Sequence, residues 1–384
     1  MKKSLPFTFY LLYYAAASFT FPFIILYLQG LKFSGPQIGL VAGLIPLVSL
    51  VGATFWTRLA DLQHRHNLVM SLTILGAILL SITFPFLKAY ILVLIVSVMF
   101  ALFTSPIVSL ADSATMTMLA SEKALYGRVR LGGTIGWGLM APVAGFLIQS
   151  FGIQWAFWGY ALIMVLAFII SQKFSFPLRT KNNPIKGDFR QTFANRRWLF
   201  FLILAFVAGV GFASMTNYLF PYMEELGISR LMMTVALTIA SIGELPVLFF
   251  ANRLLKRFGA FGLLGLAMAV TGVRLLLYAG LNFSAGILLF QLLNGMTLPM
   301  FWVAGVSYAD ENAPTEMKAT AQGLMGTMTF GFGAAAGGLI GGLMLGSIGG
   351  RWMYLIFGCV ELVSLGIIFL LARAKRLPRA RGVG

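Results

Sequence analysis

The sequence predicts an all-α membrane protein whose twelve transmembrane helices form two six-helix bundles. Three observations support this fold class: the composition, the spacing of the apolar segments, and short motifs that recur between the two halves. Hydrophobic residues make up 59% of the 384 residues and charged residues only 10%. Soluble domains carry about 25% charged residues. The composition therefore excludes an ordinary soluble domain.

Apolar segments long enough to cross the hydrocarbon core of a bilayer, which takes about 20 residues, follow one another along the whole chain. We number them spans 1 to 12. The first six lie near residues 5–29, 37–57, 67–87, 89–119, 130–150 and 153–172. The second six lie near residues 198–221, 229–251, 259–281, 284–308, 319–346 and 352–372.

The 28 Lys and Arg residues predict the orientation of these spans. On the side away from the termini, the connections hold only Lys32, Lys88, Arg230 and Arg351, and Arg274 lies inside span 9. Cytoplasmic connections carry the excess of basic residues in membrane proteins. We therefore expect both termini in the cytoplasm. The net charge of +17 is explained by this topology and does not indicate a nucleic-acid partner.

A polar segment at 173–197, rich in Lys and Arg and containing two prolines, predicts a cytoplasmic linker between bundles 1–172 and 198–384. Short motifs recur in the two bundles. SLAD at 109–112 returns as SYAD at 307–310, and FWTRL at 55–59 returns as FANRL at 250–254. Repeats of this kind, related by an axis along the membrane normal, build one class of secondary transporter with its substrate near the bilayer midplane.

Ionisable side chains inside the apolar spans are the main candidates for function. They are Asp112, Arg130, Glu244, Arg274 and Glu361. A charge at mid-membrane costs roughly 2.5 to 3.5 kcal/mol on insertion scales, so such a residue usually faces a partner or a wet cavity. We expect a polar pocket between neighbouring helices.

Three segments carry a resemblance to a known family. YGRVRLGGTIGW at 126–137, IGEL at 242–245 and VRL at 273–275 resemble spans 5, 8 and 9 of the major facilitator superfamily. They are most similar to the branch that contains lactose permease and the phenylpropionate permeases. The resemblance covers essentially the whole chain, and it implies the major facilitator fold and a transport function.

The resemblance also implies roles for single residues. Arg130 matches the sugar-binding arginine of lactose permease, and Trp137 matches the tryptophan on which a sugar ring stacks. Asp112 takes the place of the partner acid in span 4, with a shorter side chain. Glu244 matches the acid that contacts sugar and is coupled to proton movement, and Arg274 matches the arginine implicated in proton coupling.

Span 10 departs from the lactose permease pattern. It has Gln291, Asn294 and Thr297 where that protein has a lysine, a histidine and a glutamate. No titratable group remains at these positions, so a lactose-type proton relay through span 10 is excluded and galactoside specificity is not expected. The three residues recur every third position, which predicts one polar face lining the cavity.

The spacing of Arg130 and Trp137 supports a substrate site without reference to any family. They are seven residues apart, which places them on one face of a helix and offers one ligand both a hydrogen-bonding fork and an aromatic platform. Glu244 lies about fifteen residues into span 8, near mid-membrane at about 1.5 Å per residue. We expect it to carry the proton. Arg274 is left to pair with either Glu244 or Glu361, and Glu361 is expected to be structural.

Further residues complete the predicted site and its control. The latch segment TRLADLQHR at 57–65 resembles the superfamily signature between spans 2 and 3, in which Arg58, Asp61 and Arg65 would bias the inward and outward states. Other candidates for the cavity wall are polar or aromatic: Asn217 and Tyr218 on span 7, Tyr10, Tyr13 and Tyr14 on span 1, and Trp302 on span 10.

Enzyme chemistry is not predicted. The single Cys359 excludes a disulfide framework or cysteine metal cluster. The sequence contains no phosphate-binding glycine loop with its lysine, no metal-ligand spacing and no nucleophile elbow. We therefore expect no enzyme activity, no cofactor and no metal.

The sequence as a whole predicts a proton-coupled symporter. It would import a sugar, nucleoside or aromatic carboxylate across the bacterial cytoplasmic membrane by alternating access, as a monomer whose partners are its substrate, protons and lipid. One alternative is a proton-coupled efflux antiporter, because GLMAPVAG at 138–145 partly resembles the antiporter signature of span 5. A sensor or lipid-handling protein that moves no soluble solute is the other alternative.

Overall fold

The computed structural model describes residues 4–120, 122, 125–176, 196–280, 284–313 and 318–374. Within these ranges all regular structure is helical, which confirms the predicted all-α class. Most of the predicted linker, residues 177–195, lies outside the described residues, as do Lys2, Lys3 and the chain after residue 374.

The described residues of the first half form eight α-helices, several of them pieces of one predicted span. They are α1 (Ser4–Thr20), α2 (Ile24–Gly30), α3 (Gly35–Gln63), α4 (His66–Thr83), α5 (Tyr90–Thr104), α6 (Ile107–Leu119), α7 (Tyr126–Phe151) and α8 (Trp155–Ser171). Span 4 is divided between α5 and α6 beside Pro106. Proline has no N–H for the helical ladder, and its ring clashes with the preceding turn, so the helix restarts after it.

In the part of the second half that the structure describes, there are six α-helices and two short segments of other helix types. The α-helices are α9 (Arg196–Glu225), α10 (Arg230–Gly280), α11 (Ser284–Phe290), α12 (Leu298–Asn312), α13 (Lys318–Gly326) and α14 (Ala334–Ala374). A 3₁₀ segment, Gln291–Met296, joins α11 to α12. A π-helical segment, Thr327–Gly333, joins α13 to α14. Spans 10 and 11, each predicted as one apolar segment, therefore contain stretches of other helix types.

Two glycines divide the longest helices. Gly259 in α10 has φ 68° and ψ 165°, and Gly349 in α14 has φ 81° and ψ 166°. This conformation is essentially open only to glycine. Gly259 is the first residue of predicted span 9, and Gly349 lies in the predicted connection between spans 11 and 12. The long helices therefore turn where the sequence places the ends of spans.

Nine helical stretches among the described residues are long enough and apolar enough to cross a membrane, and Trp155–Ser171 is a shorter apolar helix. Two of the nine are the stretches that contain Gly259 and Gly349. The protein is thus a multi-pass membrane protein.

The two halves meet closely where α3 begins. A β-carbon on Gly342 of α14 would lie 2.3 Å from Cα of Gly39, and one on Gly35 would lie 2.5 Å from the Gly342 carbonyl oxygen. Small residues permit this backbone approach, as is common between membrane helices. The glycine-rich part of span 11 is therefore a packing surface.

A second contact between the halves joins α7 to the start of α10. The Thr238 hydroxyl donates to the Gly138 carbonyl at 3.1 Å. The Leu231 N–H donates to Gln149 Oε1 at 3.0 Å. Gln149 lies near the end of α7, Leu231 at the start of α10 and Gly35 at the start of α3, whereas Gly138 lies in the middle of α7.

Candidate substrate site

The first polar cluster is centred on an ion pair between α6 and α7. Arg130 Nη1 lies 2.7 Å from Asp112 Oδ1. Tyr10 donates its hydroxyl to the same carboxylate oxygen at 2.5 Å. Arg130 also donates to the hydroxyls of Tyr14, at 3.1 Å, and Tyr126, at 3.3 Å. The sequence indicated Tyr10 and Tyr14 as candidates, whereas Tyr126 was missed.

This cluster is accessible. The side chains of Arg130 and Asp112 are 36% and 35% exposed. The guanidinium carbon of Arg130 also lies 5.4 Å from the ring centroid of Tyr10 and 5.9 Å from that of Tyr14. Cation–π contacts within about 6 Å are attractive. The aromatic rings therefore hold the guanidinium in place, while part of its donor edge remains free for a ligand.

The second polar cluster is centred on Arg274, which is only 2% exposed. Its guanidinium donates to Asn294 Oδ1 at 2.8 Å, Gln291 Oε1 at 2.6 Å and Thr297 Oγ1 at 3.3 Å. It also donates to the Tyr278 hydroxyl at 2.8 Å. All four partners are neutral. Among the described carboxylates, none lies within 4.0 Å of this buried cation.

The 3₁₀ conformation of the segment Gln291–Met296 explains how three residues of span 10 reach one arginine. A 3₁₀ helix has three residues per turn, so side chains at i and i+3 lie directly above one another. Gln291 and Asn294 are so related, and Thr297 follows at the end of the segment. The predicted polar face is therefore present, and it faces Arg274.

Glu244 connects to Arg274 through Asn294. The Asn294 side-chain amide donates to Glu244 Oε1 at 2.8 Å, while its oxygen accepts from Arg274. Glycines permit this approach, because a β-carbon on Gly295 would lie 2.1 Å from the Gly243 carbonyl oxygen. The sequence left Arg274 to pair with either Glu244 or Glu361. In the structure Arg274 does not contact Glu244 directly, and the Asn294 side chain bridges the two.

A cavity of about 270 Å³ lies beside this network, between the two halves. Trp137 and Phe21 line it from the first half. The second half contributes the polar wall, which consists of Thr216, Ser241, Glu244, Arg274, Gln291 and Asn294. A cavity lined by aromatic side chains and a few hydrogen-bonding groups is suited to a small polar ring.

The residues that line the cavity are grouped differently from those of the predicted site. Trp137 lines a cavity together with residues of the second half, while Arg130 and Asp112 form a separate cluster two helical turns away. Thr216 lines the cavity rather than its neighbour Asn217. Thr297 is 1% exposed and lies behind Arg274. The sequence missed Ser241 and Thr216, because short polar residues on an apolar span carry no distinctive signal.

The remaining predicted residues lie outside the cavity. In the latch segment, Asp61 lies 2.8 Å from His66 Nε2, and the His66 ring stacks on Phe176 at 5.4 Å. Neither Arg58 nor Arg65 lies within ion-pair distance of a carboxylate in the part of the chain described. Trp302 packs on Phe330, with ring centroids 5.4 Å apart, and Tyr218 donates to the Gly338 carbonyl.

Comparisons with known proteins agree with this architecture. The family model of the MFS_1 like family matches residues 7–356. A maltose permease of Geobacillus stearothermophilus is 25% identical over 374 residues, covering 96% of this chain and 94% of that protein. A putative nucleoside transporter of Escherichia coli, YegT, is 24% identical over 321 residues, covering 75% and 72%.

Solved structures give the same fold. The crystal structure of the nucleoside transporter NupG superposes with a TM-score of 0.86 at 16% sequence identity, covering 96% of this chain and 98% of that one. The chain therefore belongs to the MFS_1 like family of major facilitator superfamily transporters, and it is a transporter and not an enzyme.

Proposed function

We propose that the protein is a proton-coupled symporter that imports a sugar or a nucleoside by alternating access. The single observation that carries the proposal is the cavity between the halves, which Trp137 lines together with Glu244, Asn294 and Gln291. Its ligand would be a hydroxylated ring, since the aromatic face can stack and the polar wall can donate and accept hydrogen bonds.

The size and charge of the cavity narrow the substrate class. Ligand pockets usually measure about 300 to 1,000 Å³, so a volume of about 270 Å³ favours a small solute. Arg274 already donates to four neutral acceptors, which leaves it little capacity for a carboxylate. A sugar or nucleoside is therefore favoured over an aromatic acid. The names of the maltose permease and the putative nucleoside transporter support the same two classes.

Proton coupling would involve Glu244, the one carboxylate that lines this cavity among the described residues. When Glu244 is ionised, it accepts the Asn294 amide, which is also held by Arg274. Protonation would remove the negative charge and weaken that hydrogen bond, since bonds to charged groups are about twice as strong as neutral ones. Substrate binding at Asn294 would then depend on the proton.

Alternating access would use the two bundles, 1–172 and 198–384, joined by the linker 173–197. We propose twelve spans with both termini in the cytoplasm of a bacterium. The close contacts of Gly39 with Gly342 and of Thr238 with Gly138 would then seal the outer side. The exposure of Arg130 suits an inward-facing state. The latch residues Arg58, Asp61 and Arg65 would pair in the other state.

The test is transport by the purified protein in proteoliposomes, with a panel of sugars and nucleosides. We expect an inward proton gradient to stimulate uptake, and added substrate to make the outside more alkaline. Glu244→Gln should abolish that stimulation and preserve counterflow of substrate. Glu224→Gln is the control, because that side chain is 48% exposed and lies away from the cavity, 3.7 Å from Arg230.

Other outcomes separate the alternatives. A pH change of the opposite sign on adding substrate would indicate efflux by antiport. If the folded protein shows no counterflow with any solute of the panel, a sensor or a lipid-handling protein is favoured. Proton-stimulated uptake that survives Glu244→Gln would remove Glu244 from the coupling mechanism.

A further inference from the structure

Glu361 in α14 is a buried acid without an ion-pair partner among the described residues. The residue is 1% exposed, and its Oε1 accepts no hydrogen bond from any described residue. No described Lys, Arg or His lies within 4.0 Å of its carboxyl group. The expected structural pairing with Arg274 is therefore absent. Burying an ionised carboxylate without a cation or hydrogen bonds is very costly, so this environment accommodates the neutral acid.

The packing around the carboxyl group comes from α9 and from α10 after Gly259. A β-carbon on Gly211 of α9 would lie 3.1 Å from Glu361 Oε2 and 3.5 Å from Thr271 Cγ2 of α10. The absence of a side chain at Gly211 thus leaves room for the carboxyl group. The Thr271 hydroxyl does not donate a hydrogen bond to Glu361, because it donates to the Ala267 carbonyl at 2.8 Å.

The titratable groups closest along these helices are engaged elsewhere. Arg274, one turn after Thr271, is held by span 10 and Tyr278. The Tyr278 hydroxyl accepts from Arg274 and Gln291. Tyr354, two turns before Glu361, donates to the Ser214 carbonyl at 3.3 Å. A proton is therefore the ligand that this carboxyl group can take without any change in its neighbours.

Helix α9 links Glu361 to the cavity. Gly211 covers the carboxyl group, and Met215 and Thr216, about one turn later on the same helix, line the cavity wall. A substrate that displaces this part of α9 would also move the cover of Glu361. Proton exchange at the buried acid would then follow the movement of α9.

We propose that Glu361 is a second proton-binding site, separate from Glu244, which holds a proton while Gly211 covers it and exchanges it when α9 moves. This inference rests on the proposed proton coupling, because the proton bound at Glu361 would be used in that transport cycle. Occupancy of the site is measured independently of transport.

The experiment is infrared spectroscopy of the protein in lipid nanodiscs, which detects the C=O stretch of a protonated carboxyl group by its shift in D₂O. The wild type and Glu244→Gln should show a protonated carboxyl at neutral pH that Glu361→Gln lacks. Its intensity should fall as the pH is raised, because ionisation removes the C=O stretch of the neutral acid. Added substrate should change the band in the wild type.

Two glycine variants test the placement. Gly211→Ala should shift the band, because its methyl group would press on Oε2. Gly265→Ala in the same half should leave it unchanged, because a β-carbon there meets only Leu365 Cδ1 at 3.8 Å. An unchanged band in folded Glu361→Gln would overturn the assignment. A band that persists at every pH and with substrate would show a permanently neutral acid, which also overturns the proposal. Neither result depends on whether Glu244 couples transport.

Discussion

Asp112 and Arg130 form an ion pair 2.7 Å long in which each side chain is about one-third exposed. Because the pair is open to water, its contribution to stability is small, about 0 to 1 kcal/mol. The exposure of the pair and its small contribution to stability favour a role in binding or gating over a role in folding.

The first prediction is that Asp112→Asn preserves folding and weakens substrate binding. The carboxylate holds both Arg130 and the Tyr10 hydroxyl, and its loss frees the guanidinium to move. We expect affinity to fall by about tenfold, which corresponds to about 1.4 kcal/mol, with little change in melting temperature. Binding is measured by isothermal titration. The exposed Arg128→Gln is the control, and equal losses in both variants would contradict a specific role for the pair.

The second prediction concerns the amide bridge. Asn294→Ala removes an acceptor from Arg274 and a donor from Glu244. Hydrogen bonds to charged groups are worth about 1.5 to 3 kcal/mol, so we expect both a lower melting temperature and loss of proton-stimulated uptake. Asn312→Ala provides the comparison, since that amide donates only to the Tyr308 carbonyl at the end of α12. Full coupling in Asn294→Ala would show that the bridge is dispensable.

The sequence predicted the fold class because a charge or an unpaired polar group is costly in lipid, and this constraint shapes the composition of every span. It did not locate the breaks beside Pro106 or in the π-helical segment Thr327–Gly333. Hydropathy averages over a whole span, whereas a proline or a glycine acts on one turn.

The sequence indicated individual candidate residues for the site but not how these residues group in space. Arg274, Asn294 and Glu244 stood out because polar groups are rare in these spans. Their connection depends on the close approach of Gly243 to Gly295, which is a tertiary contact. For the same reason, periodicity placed Trp137 on the face of Arg130 without revealing that the cavity at Trp137 belongs largely to the second half.

The third prediction is that Trp137→Leu weakens binding while Trp137→Phe largely preserves it. Aromatic pairs contribute about 0.5 to 1.5 kcal/mol beyond burial, so the leucine variant should bind about fivefold more weakly. Quenching of tryptophan fluorescence by substrate should also disappear. Trp158→Leu is the matched control, because Trp158 is 37% exposed and does not line the cavity. Quenching that persists without Trp137 would place the substrate elsewhere.

The fourth prediction is that Gly342→Ala opens the interface between α3 and α14. The new methyl group would lie 2.3 Å from Cα of Gly39, and overpacking of this kind costs about 1 to 3 kcal/mol. The closed arrangement should become less populated, by about fivefold or more. Accessibility is measured in the Cys359→Ser background, with Thr216→Cys labelled by a membrane-impermeant maleimide from the outside. Gly366→Ala on the same helix meets nothing within 4 Å and should label as slowly as the parent. Faster labelling in Gly366→Ala, or none in Gly342→Ala, would show that the Gly39–Gly342 contact does not close the outer side.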